Sequence, residues 1–469
     1  MNSWIENEFE EAIFPDRRLK SRIMKLTSQL SAEFGQSIPM ACQDWAATKA
    51  AYRLLDNDRF DERHIMKGHF GATASRVVQV DGPILVLHDT SEFIYKRNND
   101  KIGKIRKMHR NPAADMIGGK KYFTQCGILM HASFAMTSDG LPLGLSALKF
   151  WARKDFTDCN KRKKKVNPTR VPIEEKESYR WIESLRASTD RLGSPQRCVH
   201  IADREGDMYE FLHEAFETKS HFLVRICVNR RTTDELNVYE QLKKQPTAGI
   251  HKIIFFDEKS KAVETELEIK FKKLTLKPSD GRKAGLYGTR SVTVITAKEK
   301  KGRKTGRPLI DWKLVTDLPI ETIEEAVEKL QWYALRWRIE VYFKVLKSGC
   351  RAEDLKLRSS PRLTKLISLF CIVSWRVFWL TMMNRETEQV PASISLTETE
   401  IRILDKLFPR KDARKRKILS EYITKIARLG GYLARSSDPP PGNQVIWRGM
   451  RKLHEIHSGV KIADDFVGN

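Results

Sequence analysis

The sequence predicts an α/β fold in which helices pack on a mixed sheet, with helical segments at both ends of the chain. Three observations predict it. Apolar runs of strand type and amphipathic helical segments follow one another between residues 76 and 384. Residues 1–75 carry apolar side chains at helical spacing. A second helical segment follows a polar linker that begins near residue 385.

The N-terminal segment is predicted to be a helical domain over residues 1–75. The stretch "RRLKSRIMKLTSQLSAEFG" has apolar residues at helical spacing, and "DWAATKAAYRLLDND" is rich in helix formers and ends in a turn signal. The start of the chain, "MNSWIENEFEEAIF", is acidic and amphipathic, so it does not have the pattern of a signal peptide.

The central domain, predicted over residues 76–384, opens with strands. The run "ILVL" is of strand type and ends just before Asp89. A hairpin of two strands is expected around the turn at 138–140. The stretch "RCVHIADREGDMYEFLHEAF" predicts a short strand, a break at Asp203 and an amphipathic helix, and "HFLVRICV" predicts another strand.

Two later segments depart from this pattern. Residues of about 235–310 predict a β-rich insertion, because "TELEIKFKKLTL" and "RSVTVITA" alternate with period two. The apolar run from Leu366 to Met383 is long enough to raise the question of a membrane span. Arg376 near its middle favours a buried core helix instead. Residues 385–469 are predicted to form a helical C-terminal domain.

The charge of the chain indicates a polyanionic partner. Lys and Arg number 85 against 60 Asp and Glu, which gives a formal net charge of +25. Nucleic acid is the first expectation, and a passive ribosome-like binder or a membrane-surface protein is the alternative. Two basic clusters stand out, with 18 basic against 6 acidic residues over 91–170 and 11 against 3 over 401–435. The seven cysteines form no C-x-x-C pair, which suits a reducing cytosol.

The segment "YALRWRIEVYFKVLK" places one carboxylate in a basic, aromatic helix. We expect the helix to begin at Thr322, because Thr322 and Glu325 fit a capping box. Its predicted apolar stripe consists of Ile323, Val327, Leu330, Ala334, Trp337 and Val341. At about 100° per residue, five polar side chains share one face. They are Tyr333, Arg336, Glu340, Lys344 and Lys347. In the simpler interpretation, Glu340 only pairs with the basic residues four positions away.

Two aspartates, Asp89 and Asp203, each follow a strand-type run. Singly, an acid in this position is commonly a helix cap or turn former. At adjacent strand ends, and with Glu340 nearby, they would form a carboxylate cluster, which repels itself unless cations neutralise it. Oxygen ligands favour Mg²⁺ or Mn²⁺, and two such ions would support phosphodiester chemistry.

These residues resemble those of the IS-four group of bacterial DDE transposases. The helix segment has that family's Tyr-x2-Arg-x3-Glu-x6-Lys pattern. The stretch "LVLHDTSEF" resembles the strand of its first aspartate, "IADREGD" the turn of its second, and "IARLGGYLA" its last domain. The likeness runs in order over most of the chain. The N-terminal domain matches poorly in detail, and the loop in "SSDPPPGNQVIW" differs.

The resemblance implies a ribonuclease-H-like catalytic core. It implies that Asp89, Asp203 and Glu340 are the catalytic, metal-binding residues, and that the four other members of the shared helix face contact DNA near the scissile phosphate. Trp312 matches a tryptophan that stacks on a flipped base, although a core tryptophan is the alternative. Arg225 matches a DNA-contacting position more weakly.

The resemblance also implies cut-and-paste transposition with Mg²⁺, for which Mn²⁺ can substitute. The expected partners are double-stranded DNA, both as transposon-end inverted repeats and as target, and a second copy of the chain in a paired-end complex. No membrane partner is expected, and the expected location is the bacterial cytoplasm at the nucleoid. The alternatives are a Mg²⁺ nuclease that does not join DNA and a DNA-binding repressor. The presence of all three acids counts against the repressor, because such a protein would lack them.

Overall fold

The structure is a computed structural model. It describes residues 3–96, 101–109, 122–153, 171–256, 262–279, 282–300, 309–385, 390–409 and 416–467. Much of the basic cluster predicted over 91–170, and residues 410–415 of the C-terminal basic cluster, lie outside the described residues.

The described strands form one ten-stranded sheet. They are β1 (Ile84–Tyr95), β2 (Lys104–His109), β3 (Tyr122–Thr137), β4 (Pro142–Trp151), β5 (Cys198–Ala202), β6 (His221–Arg225), β7 (Gly249–Phe256), β8 (Ala262–Leu276), β9 (Arg290–Glu299) and β10 (Asp311–Thr316). Their order is β2-β3-β1-β5-β6-β10-β9-β8-β7, and β4 pairs with β3 away from this path.

The sheet is mixed, as predicted. Strand β1 is parallel to β5, and β5 is parallel to β6, whereas β3 and β10 run antiparallel to their neighbours. The predicted hairpin is β3–β4, and Gly140 in its turn has a φ of +95°, a conformation that favours glycine. The predicted insertion is β-rich, since β7, β8 and β9 extend the same sheet beyond β10.

Helices precede, follow and cover the sheet. The first five are α1 (Ser3–Phe9), α2 (Arg17–Ala32), α3 (Ile38–Cys42), α4 (Trp45–Asp56) and α5 (Glu62–Val78). Those within the central region are α6 (Arg180–Leu192), α7 (Tyr209–Glu217), α8 (Val238–Lys244), α9 (Arg282–Leu286), α10 (Ile323–Leu335), α11 (Trp337–Lys344) and α12 (Ser360–Met383). The last are α13 (Glu398–Leu407), α14 (Leu419–Leu429) and α15 (Asn443–Val467).

The sheet separates two layers of helices. On one face, Phe222 and Val224 of β6 pack with Trp181 and Leu185 of α6. On the other face, the alternate side chains of β1 join a larger cluster that includes α12 and the N-terminal helices. Helices on both faces of a mixed sheet are the α/β architecture that the sequence predicts.

Helix α12 is the apolar run that raised the question of a membrane span. It alone among the described helices is long and apolar enough to cross a bilayer, but 94% of its most apolar window is buried inside the protein. Arg376 near its middle donates hydrogen bonds to the carbonyl and hydroxyl oxygens of Ser395. The prediction of a buried core helix is therefore confirmed.

Candidate active site

The two predicted aspartates lie at the same level of neighbouring strands. The parallel pairing of β1 and β5 ends with Leu87 opposite Ile201. Asp89 and Asp203 each come two residues later. The carboxyl ends of adjacent parallel strands meet at one edge, and this brings the two acids to the same place in the sheet.

The prediction that Asp89 follows the end of its strand is wrong. Strand β1 continues to Tyr95 and stays paired with β3, so Asp89 lies inside β1 opposite Ala132. The apolar run ends there because β5 has turned away and one side of β1 is no longer covered. Asp203 does begin a turn, since its carboxylate accepts a hydrogen bond from the Glu205 amide at 2.8 Å.

The helix that carries Glu340 is not continuous, which corrects a second prediction. It begins as expected at the Thr322–Glu325 capping box, but α10 ends at Leu335 and α11 begins at Trp337. At the junction the backbone hydrogen bonds span three residues instead of four. The Arg336 amide donates to the Tyr333 carbonyl, and the Ile339 amide donates to the Arg336 carbonyl. A π-helical turn, Val345–Gly349, follows α11.

The predicted apolar stripe of this helix is also wrong in part. Trp337 is 62% exposed and Ala334 is exposed as well. Leu330 of the predicted stripe is buried, but so are side chains outside it, which include Tyr333, Ile339 and Tyr342. The face with Tyr333 therefore turns toward the sheet, and this brings Arg336 and Glu340 beside β1.

Arg336 joins two of the predicted acids. Its Nη2 donates to Glu340 Oε1 at 2.7 Å, and its Nη1 lies 3.4 Å from Asp89 Oδ2. The side chains of Arg336 and Asp89 are only 15% and 18% exposed. The simpler interpretation, an exposed pair within one helix, accounts for the contact with Glu340 but not for the contact with a strand 247 residues away.

Asp203, the acid that Arg336 does not contact, lies close enough to Asp89 to affect its ionisation. Burial raises the pKa of Asp89 to about 7, although Arg336 and the Thr90 amide act to lower it. The charges of Asp203 and Glu340 both raise the pKa of Asp89 further. Asp203 and Glu340 therefore both lie near Asp89 at this edge of the sheet, and both disfavour its charged form.

Aromatic and basic side chains adjoin the acids. Tyr333 is 5% exposed, and its ring meets that of Trp312 edge-on at 5.2 Å between centroids. Burial raises the pKa of the Tyr333 phenol, which Arg336 and Arg225 lower and Asp203 raises. Arg225 ends β6 and donates to the Asp311 carbonyl at 3.2 Å. Trp312 itself is half-buried, whereas Leu314 on the same strand is fully buried in the core.

The two lysines of the shared helix face lie further out. Lys344 is exposed, and Lys347 is half-buried with its ammonium 5.7 Å from the centre of the Phe93 ring. The structure thus brings Asp89, Arg336 and Glu340 into direct contact. It places Tyr333, Trp312 and Arg225 beside them, and leaves the lysines toward the surface.

Comparison with known families identifies three parts of the chain. Three family models match successive parts of the chain: transposase DNA-binding over residues 1–60, transposase DDE domain over 146–375, and transposase Tn5 dimerisation domain over 372–468. The chain carries the DNA-binding, DDE and dimerisation domains of a transposase. The DDE match includes Asp203 and Glu340, whereas Asp89 lies before it. The predicted ribonuclease-H-like core is confirmed for this transposase, and the predicted roles of individual residues stay predictions.

One solved structure to which the transposase is similar is the cryo-EM structure of a piggyBac transposase synaptic complex with hairpin DNA. The two chains share 12% identity with a TM-score of 0.37, and the match covers 88% of this chain. This chain spans 60% of the length of that protein.

The donor set of the transposase site suits a divalent cation, but the ligands are not assembled for one. Three carboxylates offer oxygen ligands, which Mg²⁺ and Mn²⁺ prefer. Within the described residues, no group of three or more His, Cys, Asp or Glu side chains is close enough to hold a metal ion. The Arg336 guanidinium lies between Asp89 and Glu340 and supplies the neutralising charge. A divalent ion would therefore compete with Arg336 for these oxygens.

Sequence reasoning missed one cation of this transposase site. Arg180, the first residue of α6, has a side chain that is 11% exposed and contacts Thr90 and Glu205, the neighbours of the two aspartates. No spacing rule links position 180 to either aspartate along the chain. The only local signal is a basic residue between two aromatic ones in "SYRWIE".

We predict that Asp89 makes the metal-free transposase less stable as the pH rises. Its folded pKa, about 7, lies above the unfolded value of about 3.9. The stabilisation from its protonated form is complete below the unfolded pKa and is lost as the pH rises through 7. An Asp89→Asn variant carries no such charge, so its advantage over the wild type should be larger at about pH 8 than at about pH 4.5.

Urea unfolding in the presence of a chelator measures this difference. Asp354→Asn, at an aspartate whose side chain is 62% exposed, is the control and should show no comparable trend. A free-energy difference between Asp89→Asn and the wild type that stays constant with pH would contradict the prediction.

Proposed function

We propose that this chain is a cut-and-paste DNA transposase of the Tn5 type. It binds transposon ends, nicks them, forms and opens a DNA hairpin, and joins the freed 3′ ends to target DNA. The observation that carries the proposal is the meeting of Asp89 and Glu340 through Arg336, with Asp203 within electrostatic reach. A nuclease or transferase of the two-metal class needs such convergent carboxylates.

Asp89, Asp203 and Glu340 are the residues that would hold the divalent ions, Mg²⁺ or Mn²⁺. When bound, these ions would activate a water or a 3′-hydroxyl and stabilise the leaving oxygen. Arg336 keeps the carboxylates together before then, because its charge offsets their repulsion. Once freed from Asp89, its guanidinium has donors for a phosphate oxygen.

The surrounding side chains form the groove that we assign to DNA near the scissile phosphate. Arg225, Lys344 and Lys347 supply positive charge, and Tyr333 supplies a phenol at the edge of the acids. Trp312 is half-buried and held edge-on by Tyr333, so part of its ring stays accessible for stacking. A hairpin bend requires an unstacked base, and an indole face offsets the lost stacking.

End recognition is assigned to the N-terminal helices, where both α2 and α4 expose basic side chains. On α4, Trp45 is 77% exposed, and Lys49 and Arg53 are exposed one and two turns later. Burial raises the pKa of the Cys42 thiol, just before α4, and Lys25 of α2 lies close enough to act against that rise. Exposed basic residues one turn apart on a helix complement the charge and groove of duplex DNA.

The oligomeric state, the location and the competing function complete the proposal. The C-terminal helices α14 and α15 fall within the matched dimerisation domain, and we propose a homodimer in a paired-end complex. We place the protein in the bacterial cytoplasm at the nucleoid, without a membrane partner. The competing function is a Mg²⁺ nuclease that cleaves DNA without joining it.

We predict that alanine at Asp89, Asp203 or Glu340 abolishes both nicking and the joining of pre-cut ends, while end binding persists. One set of carboxylates serves every step, so both reactions should fail together. Gel assays with intact and pre-cut end duplexes measure the two reactions. Glu328→Ala, on the exposed side of α10, is the control and should keep both.

Two results would contradict the proposal. Undiminished nicking in any of the three variants would remove that residue from the site. A wild-type protein that nicks ends but never joins pre-cut ends would be a nuclease.

We predict that Trp312→Ala slows hairpin formation by roughly tenfold to a hundredfold while nicking is unchanged. Stacking of one base on an aromatic ring contributes about 1–3 kcal/mol, and about 1.4 kcal/mol is a factor of ten. Single-turnover assays with pre-nicked ends isolate this step, and Trp312→Phe should restore part of the rate. A normal hairpin rate in Trp312→Ala would assign the side chain to the core instead.

We predict that replacing both Lys49 and Arg53 with alanine weakens end binding at least about tenfold and flattens its salt dependence. The control removes the same charge from Lys243 and Lys244, which are exposed on α8. Fluorescence anisotropy over a range of salt concentrations measures both variants. Equal losses in the two would show a general charge effect and reject α4 as the recognition helix.

A further inference from the structure

The three nitrogens of the Arg180 guanidinium donate hydrogen bonds to three different groups. Its Nε donates to Thr90 Oγ1 at 3.3 Å, its Nη1 to the Glu177 carbonyl at 3.0 Å, and its Nη2 to Glu205 Oε2 at 2.7 Å. The guanidinium also lies over the rings of Trp151 and Trp181, at 5.2 and 5.9 Å from their centroids. A planar fork held in this way has little freedom to move.

Two of these contacts lead directly to the predicted metal ligands. The Thr90 amide donates to Asp89 Oδ1 at 2.8 Å, and the Glu205 amide donates to Asp203 Oδ1 at 2.8 Å. Arg180 therefore binds the side chains of the two residues whose backbone amides orient the two aspartates. One guanidinium spans β1 and the turn after β5, where the pairing of the two strands has already ended.

Thr90 Oγ1 has a second partner besides Arg180. Arginine only donates, so Thr90 Oγ1 accepts from Arg180, and the same hydroxyl shares a hydrogen bond with the fully buried His131, whose Nδ1 lies 2.9 Å away. The Thr90 side chain is thus fixed from both sides.

We propose that Arg180 is a positioning residue that sets the separation of Asp89 and Asp203 for divalent-ion binding. This inference rests on the proposed function, since it presumes that the two aspartates hold the ion. Arg180 acts through Thr90 and Glu205 and does not itself bind metal. Groups that orient ligands from outside typically change metal affinity about tenfold to a hundredfold when they are removed.

A purely structural role makes a different prediction. Glu205 is 61% exposed, and ion pairs with such exposure contribute little to stability. If Arg180 only held α6 in place, its loss would lower stability and would affect metal affinity no more than the loss of another ion pair of α6. Arg186 offers that comparison, because it lies on the same helix and donates twice to Glu214, at 2.5 and 2.7 Å.

The test is a Mn²⁺ titration of the full-length protein, followed by the electron paramagnetic resonance signal of free Mn²⁺, beside melting curves. Arg180→Met, which keeps much of the apolar length, should weaken Mn²⁺ binding about tenfold or more. Arg180→Lys keeps the charge but not the fork, so it should recover part of the affinity. Arg186→Met should bind Mn²⁺ like the wild type.

Several outcomes would overturn the inference. Unchanged Mn²⁺ affinity in Arg180→Met would do so, as would an equal loss in Arg186→Met. If Arg180→Met fails to fold, Thr90→Val is the substitute, because it removes only the hydroxyl that Arg180 contacts. Unchanged Mn²⁺ affinity in Thr90→Val would also overturn the inference. If Asp89→Asn weakens Mn²⁺ binding and Arg180→Met does not, only the inference fails. If the wild type binds no Mn²⁺, the inference and the proposed function fail together.

Discussion

The structure of the site depends on one interaction, the contact of Arg336 with Asp89 and Glu340. Three carboxylates at one edge of a sheet repel one another, and burial together with the charges of Asp203 and Glu340 raises the pKa of Asp89. A guanidinium between two of them supplies the missing positive charge without a bound ion. The glutamate in a basic helix is therefore paired with Arg336 one turn earlier, and the same guanidinium also reaches Asp89 on a distant strand.

The fold holds this interaction in place from both sides. Below Glu340, Tyr342 is fully buried and donates to the Cys371 carbonyl of α12 at 3.2 Å, which fixes α11 against the apolar central helix. On the sheet side, β1 stays paired with β3 beyond the point where β5 turns away, so Asp89 sits on a supported strand with one uncovered edge. Rigid elements thus carry Asp89 and Glu340, whereas the turn with Asp203 depends on its own hydrogen bonds.

Much of this arrangement could be predicted from the sequence, because local patterns determine it. Apolar runs and the alternation of apolar with polar residues predicted the strands around both aspartates. The Thr322–Glu325 capping box predicted the start of the helix. The break at Arg336 and the exposure of Trp337 could not be predicted, since tertiary packing chooses which aromatic side chain is buried. The bridge from Arg180 to Thr90 and Glu205 also depends on contacts between distant segments.

The central claim is that the acids joined by Arg336 form one binding site for divalent metal. Anomalous X-ray scattering from crystals of the protein with end DNA and Mn²⁺ tests it most directly. We expect a Mn²⁺ peak bonded to carboxylate oxygens of Asp89, Asp203 and Glu340, with the Arg336 guanidinium moved away from Asp89. A Mn²⁺ peak elsewhere on the molecule, with Arg336 still between Asp89 and Glu340, would contradict it.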